Sequence, residues 1–112
     1  MESCIFCKIA AKDIEAEIIM EGERWVAFKD LNPVSPVHVL IVPKDHIVSI
    51  EKTDDKELLG ALLEAAAKTA GRLGLPEDGY RIVNNIGVYG GQTVPHLHFH
   101  LLGGRQMGWP PG

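Results

Sequence analysis

Near its C-terminal end the chain reads His-Leu-His-Phe-His-Leu-Leu, with His96, His98 and His100 at every second position and Leu97, Phe99 and Leu101 between and after them. Alternation with period two belongs to a β-strand that buries one face. It predicts three imidazoles on one face, about 7 Å apart, and three apolar side chains packed into a core on the other. Just upstream, Gly87, Gly90 and Gly91 form a loop with Gln92 and Thr93. A loop of this composition can turn several backbone N–H groups toward one anion. A glycine-rich loop feeding a row of imidazoles points to chemistry on a phosphate.

The 112 residues suit one domain, 1–112, with residues 103–112 as a C-terminal tail. Net charge is −4, and Lys and Arg form no run, which argues against nucleic acid as a partner. No apolar stretch approaches the length of a membrane span, and no basic segment followed by an apolar one marks a signal peptide. The expected location is the cytoplasm.

Cys4 and Cys7 form a C-x-x-C at the start. A reducing compartment disfavours a standing disulfide, and no strand precedes the pair as a thioredoxin-like redox unit requires. Two readings stand side by side: half of a zinc site completed by histidines from elsewhere, or two small apolar residues on a short helix, Cys4 to Ala11, with Ile5, Phe6 and Ile9 also turned inward. Ile18 to Phe28 reads as a hairpin turning at Glu21-Gly22-Glu23 and ended by Asp30-Leu31-Asn32-Pro33. Val37 to Pro43 is strongly apolar and reads as a central strand. Taken alone, His38 on that strand reads as a satisfied core group, and His46 in the next connection as solvated. Thr53 to Leu73 is the long helix, with a stripe of Leu58, Leu59, Leu62, Leu63, Ala66, Ala67 and Ala70, Thr53 as its N-cap and Gly74 just past its end. Tyr80 to Asn84 begins another strand. Trp109, on the short tail, is expected to pack on something, with a second subunit as one option.

Three readings compete for the histidine row. A catalytic zinc site usually recruits a third ligand and an acid/base carboxylate, and no Asp or Glu lies between Tyr80 and Gly112. A merely polar face explains neither the number of histidines nor the adjoining loop. Nucleophilic attack on phosphorus uses the most residues: a neutral imidazole is a competent nucleophile at pH 7, and Gln92, Thr93 and the glycine amides can supply donors to the phosphate.

The segment His96 to Leu102 resembles the signature of the histidine triad family. The resemblance extends to Asp30-Leu31-Asn32-Pro33, to the run from His38 through Lys44, Asp45 and His46 to Ile47, to Gly90-Gly91-Gln92-Thr93 and to the tail ending Gly108-Trp109-Pro110-Pro111-Gly112. These look like the nucleotide-binding Hint branch of that family, across roughly Cys4 to Gly112. The resemblance implies an α+β fold, a five-stranded antiparallel sheet with one long and one short helix, joined into a ten-stranded sheet in a homodimer. It implies hydrolysis of purine nucleoside phosphoramidates or aminoacyl adenylates through a nucleotidyl-histidine, with AMP, GMP and adenosine phosphoramidates as ligands and no cofactor needed for the chemistry. A nucleotide-binding scaffold with only incidental hydrolysis is the alternative. Carried over by position, His98 is the nucleophile, His100 contacts the phosphate, and His38 buttresses His98. Thr93, where the family commonly has Ser, meets the leaving group, with Gln92 and the Gly91 amide near the phosphate. Asp30 holds the ribose, Asn85 lines the site, and Ile5, Phe6, Ile9, Phe28 and Leu31 form the base pocket. Trp109 reaches toward the partner's site. Pro95 departs from the usual residue there. Cys4 and Cys7 resemble zinc-carrying bacterial members, in which His46 and His96 complete a structural Zn2+ site.

Overall fold

The computed structural model describes residues 3–112. Five strands form one antiparallel sheet: β1 (Ile18–Glu21), β2 (Trp25–Lys29), β3 (Val37–Pro43), β4 (Arg81–Val83) and β5 (Phe99–Gly103), in spatial order β1-β2-β3-β5-β4. A short helix, α1 (Ile5–Ala10), precedes the hairpin, and a long one, α2 (Lys56–Arg72), follows β3. This is the α+β arrangement expected from the resemblance.

The period-two pattern of the strands divides the core. Ala27, Val39, Ile41, Phe99 and Leu101, joined by Leu97, face α2, whose Leu58, Leu62, Ala65, Ala66 and Ala70 are buried against them. Val26, Phe28, Leu40 and Val42 face α1, against Cys4, Phe6 and Ile9. Each fully buried Leu or Ile in these layers contributes about 1.5–3 kcal/mol over its exposed state. Such burial holds α1, since six residues cannot sustain a helix in water. Ile5 departs from expectation: in the first turn of α1 it is half exposed, whereas Phe6 and Ile9 are buried. Likewise Leu63 and Ala67 point outward from α2, because the buried stripe is centred on Leu62, Ala66 and Ala70. The α2 N-cap is Asp55, not Thr53: the Asp55 side chain accepts from the Leu58 N–H at 3.0 Å, while the Thr53 hydroxyl accepts from Asp55 N–H one turn earlier. Gly74, at φ +74°, follows the C-cap Leu73 as expected.

The histidine strand is shorter than its alternation implies. Register pairs Ile41 with Phe99, so the next rung toward the α1 end would set Pro43 opposite Leu97. Lys44 N–H donates to Arg24 on the β2 side, so Pro43 faces β5, where its missing N–H cannot make a rung. Leu97 N–H turns instead to the Ile47 carbonyl at 2.6 Å. His96 and His98 therefore lie in an irregular segment before the strand, and only His100 sits within it.

Candidate functional site

His38 and His100 lie on neighbouring strands, on the α1 face, one diagonal apart, since His38 pairs with Leu102 and Leu40 with His100. His38 Nε2 is 2.8 Å from His100 Nδ1, and the Val34 N–H donates to His38 Nδ1 at 3.1 Å. A ring nitrogen that accepts carries no proton, so neutral His38 holds its proton on Nε2 and donates it to His100 Nδ1. Neutral His100 then carries its own proton on Nε2. Burial, with His98 and His38 nearby, pushes His100 down to about 4. Burial also lowers His38, outweighing the Asp30 carboxylate whose Oδ2 lies 3.4 Å from His38 Nε2. Both rings are neutral at pH 7, as this relay requires. His38 bonds to His100, whose ring packs edge-to-face on His98 with centroids 5.0 Å apart, because strand pairing sets the His38 and His100 rings side by side.

His98 is held differently. Its Nδ1 lies 2.7 Å from the His96 main-chain carbonyl. A carbonyl can only accept, so Nδ1 bears the proton and Nε2 the lone pair. Nε2 has no hydrogen-bond partner among the described residues, and the ring lines a cavity. The Asn84 side-chain amide donates to the His98 carbonyl at 2.9 Å, while Asn84 Oδ1 is buried without a partner among the described residues. The edge-to-face pairs of His98 with Phe6 (centroids 5.1 Å) and His100 (5.0 Å) fix the ring plane.

The cavity encloses about 390 Å³. Ile5, Phe6, Ile9, Phe28 and Leu31 line it, and its polar groups come from Asp30, Thr93, His98 and His100 together with Glu15, Lys29 and Asn32. Ile14, Ala16, Leu40 and Val94 also line it and were not anticipated; each is a single apolar residue with no pattern to mark it. Asn85 lies elsewhere, on a second cavity of about 710 Å³ that meets His38 and His100 from the side of the tail. Trp109 is 83% exposed and touches neither cavity.

The glycine loop does not form the expected anion cradle. Gly91 N–H donates to the Val88 carbonyl, Gln92 N–H to the Gly87 carbonyl, and Gly87 N–H to the Gln92 side chain at 3.0 Å. The Gln92 amide nitrogen donates to the Val48 and Val94 carbonyls at 2.8 and 3.1 Å. Gln92 and the Gly91 amide thus fasten the loop upon itself. Glycine at 90 follows from that closure, since a Cβ there would run into the Ile86 backbone.

Beside the cavity, Cys4, Cys7, His46 and His96 bring one ligand atom each to within 4.8 Å of all the others. His96 Nδ1 lies 3.3 Å from Cys4 Sγ and 3.5 Å from Cys7 Sγ, and His46 Nδ1 lies 3.3 Å from Cys7 Sγ. His96 Nε2 is 2.9 Å from the Pro43 carbonyl left over by the broken ladder. That carbonyl holds the proton on Nε2 and leaves Nδ1 as a lone pair facing the thiols, the arrangement a metal-bound histidine requires. Burial lowers His96 and keeps it neutral. Burial and the neighbouring Cys4 push the Cys7 thiol up, which a divalent cation would reverse. Two thiols and two imidazoles at this spacing fit a tetrahedral zinc ion. His46, read alone as solvated, is thereby part of a cluster, and both cysteines are free.

Comparison with known proteins agrees with this architecture. The HIT domain model matches residues 11–107. A 14 kDa zinc-binding protein of Zea mays is 49% identical over 112 residues, covering 96% of this chain and 87% of the relative. Among solved structures, a HIT family hydrolase from Legionella pneumophila superposes with a TM-score of 0.94 at 50% identity, covering 98% of this chain and 100% of that one. A histidine triad nucleotide-binding protein from Candida albicans gives 0.84 at 34% identity, over 96% and 83% of the two chains. With the matched region spanning most of its length and three alternating histidines leading into and lying on β5, this chain belongs to the HIT domain family.

Proposed function

We propose that this protein hydrolyses purine nucleoside phosphoramidates, such as AMP joined to an amine, through a covalent nucleotidyl-histidine on His98. The observation that carries this reading is the tautomer of His98: Nδ1–H is tied to a carbonyl, and the lone pair on Nε2 is directed to the cavity. Similarity to a HIT family hydrolase and to a histidine triad nucleotide-binding protein supports its coarser part, hydrolysis at a bound nucleotide.

In this mechanism the purine lies among Phe6, Ile9 and Phe28, the ribose hydroxyls meet Asp30, and the phosphate comes between His98 and His100. His98 Nε2 attacks phosphorus as the P–N bond to the amine breaks, and the amine leaves with a proton taken from solvent, which the water of the second step returns; Thr93 lines the same cavity and offers a hydroxyl to the departing group. Positive charge develops on the His98 ring, where the His96 carbonyl already accepts from Nδ1–H. His100 donates Nε2–H to a non-bridging oxygen, and its protonation state is kept by His38. Water then attacks the adduct, the bond from phosphorus to Nε2 breaks, and AMP is released. Cys4, Cys7, His46 and His96 would hold a structural Zn2+, which supplies a cross-link between α1 and the segment before β5 and leaves no coordination position for substrate. A homodimer is part of this reading: β4 is a three-residue edge strand, and Leu63 and Trp109 stand exposed beyond what a monomer needs.

Mass spectrometry after rapid quenching with an adenosine phosphoramidate tests the reading. Peptide mapping is expected to place one adenylyl group on His98. Turnover with no adduct on any histidine overturns it, and nucleotide binding without turnover favours a scaffold.

A further inference from the structure

His96 takes part in two structures at once. Its ring belongs to the Cys/His cluster, 3.3 Å from Cys4 Sγ, and its main-chain carbonyl accepts the His98 Nδ1–H at 2.7 Å. No ladder steadies that carbonyl, because pairing with β3 begins only at Phe99. A second link runs through α1. Phe6, between the two cysteines in sequence, sets its edge against both rings, at 5.8 Å for His96 and 5.1 Å for His98. Asn84 also restrains His98, but through the His98 carbonyl, which leaves the choice of ring tautomer open.

We propose that the zinc-loaded cluster of Cys4, Cys7, His46 and His96 is a positioning device for the nucleophile: by fixing His96 it aims the carbonyl that keeps the His98 proton on Nδ1 and the lone pair on Nε2. His96 is a positioning residue here; it touches no substrate. Its catalytic consequence rests on the nucleotidyl-histidine reading, whereas its effect on the His98 tautomer rests on geometry alone. When the cluster is released, the segment from Val94 to His98 relaxes and the His98 proton distributes between both nitrogens. Orienting partners of this kind are typically worth about 10–100-fold in activity.

The experiment compares full-length protein carrying one zinc per chain with the same protein stripped by a chelator, using nitrogen-15 NMR of the histidine rings, single-turnover adenylylation and far-ultraviolet circular dichroism. Loaded protein is expected to show His98 in one tautomer with a slowly exchanging Nδ1–H. Stripping is expected to average the two His98 nitrogens and slow adenylylation about 10–100-fold with helix content unchanged, and zinc alone restores both. His46→Gln, which removes a ligand without touching His98, should behave like stripped protein at one equivalent of zinc. The proposal is overturned if the His98 tautomer and adenylylation rate stay the same with zinc removed, or if stripping unfolds the whole chain, which would make the cluster a device for global stability. A loaded parent that forms no adduct counts against the catalytic reading alone, since the tautomer measurement needs no substrate.

Discussion

His96 and His98 stand two residues apart and touch the edge of the same phenylalanine, yet they present opposite nitrogens. In the cluster, the Pro43 carbonyl takes the His96 Nε2 proton and leaves Nδ1 to the thiols. In the cavity, the His96 carbonyl takes the His98 Nδ1 proton and leaves Nε2 toward the open space. Residue type, spacing and burial are nearly equal in the two places. The difference lies in which end of the ring meets an oxygen that can only accept. Two main-chain carbonyls thus give identical side chains opposite free nitrogens, the division that the proposed roles of ligand and nucleophile require.

The sharpest way to break this comparison is His98→Ala. If the division of labour is right, turnover of an adenosine phosphoramidate falls by about 10⁴-fold or more, while zinc content and AMP binding, followed by calorimetry, stay near the parent values. Loss of zinc together with turnover would show that the two regions are one. Phe99→Ala probes what both regions stand on. Phe99 is buried against the α2 side of the sheet, and its truncation should cost about 3–5 kcal/mol in urea unfolding. The smallest effect is expected from acid. His100 is held down to about 4 in the fold, whereas an unfolded histidine titrates near pH ~6.5. Between those values the unfolded chain binds a proton that the folded chain refuses, so stability falls as pH drops through this window and is flat above it. His100 accounts for at most one proton, about 1.4 kcal/mol per pH unit, of that slope, and His38 and His96, which burial also lowers, add to it in the same sense. His100→Asn should reduce that slope in pH-dependent unfolding of zinc-loaded protein.

Much of the sheet could be read from the chain because hairpin, central strand and long helix each repeat a local pattern that tertiary packing then reinforces. Val37 to Pro43 and Ile18 to Phe28 lie where their apolar runs place them. The α2 cap shifted by two residues because Asp55 and Thr53 are both capping types, and only geometry decides between them. Within the site, the alternating row gave the face but not the ring chemistry, since tautomers depend on the Pro43 and His96 carbonyls, which accept, and on the Val34 N–H, which donates. The glycine loop misled for a related reason: its composition suits an anion, but the Gln92 side chain accepts from Gly87 N–H in its own loop and ties that loop to the Val48 carbonyl. Asn84 carried no signal beyond being polar at the end of a strand. His46 could be joined to Cys7 across 39 residues only through the family resemblance, as nothing local links a connection after β3 to the first helix.

Pro43 carries a consequence out of proportion to its place at a strand end. An imino acid there withholds one hydrogen from the sheet, and the oxygen beside it becomes available to an imidazole. Any ordinary residue at 43 would offer the sheet another rung and set two claimants against each other for that oxygen. The free nitrogen that His96 turns to the two thiols is therefore set from the backbone of a strand that contributes none of the four clustered side chains.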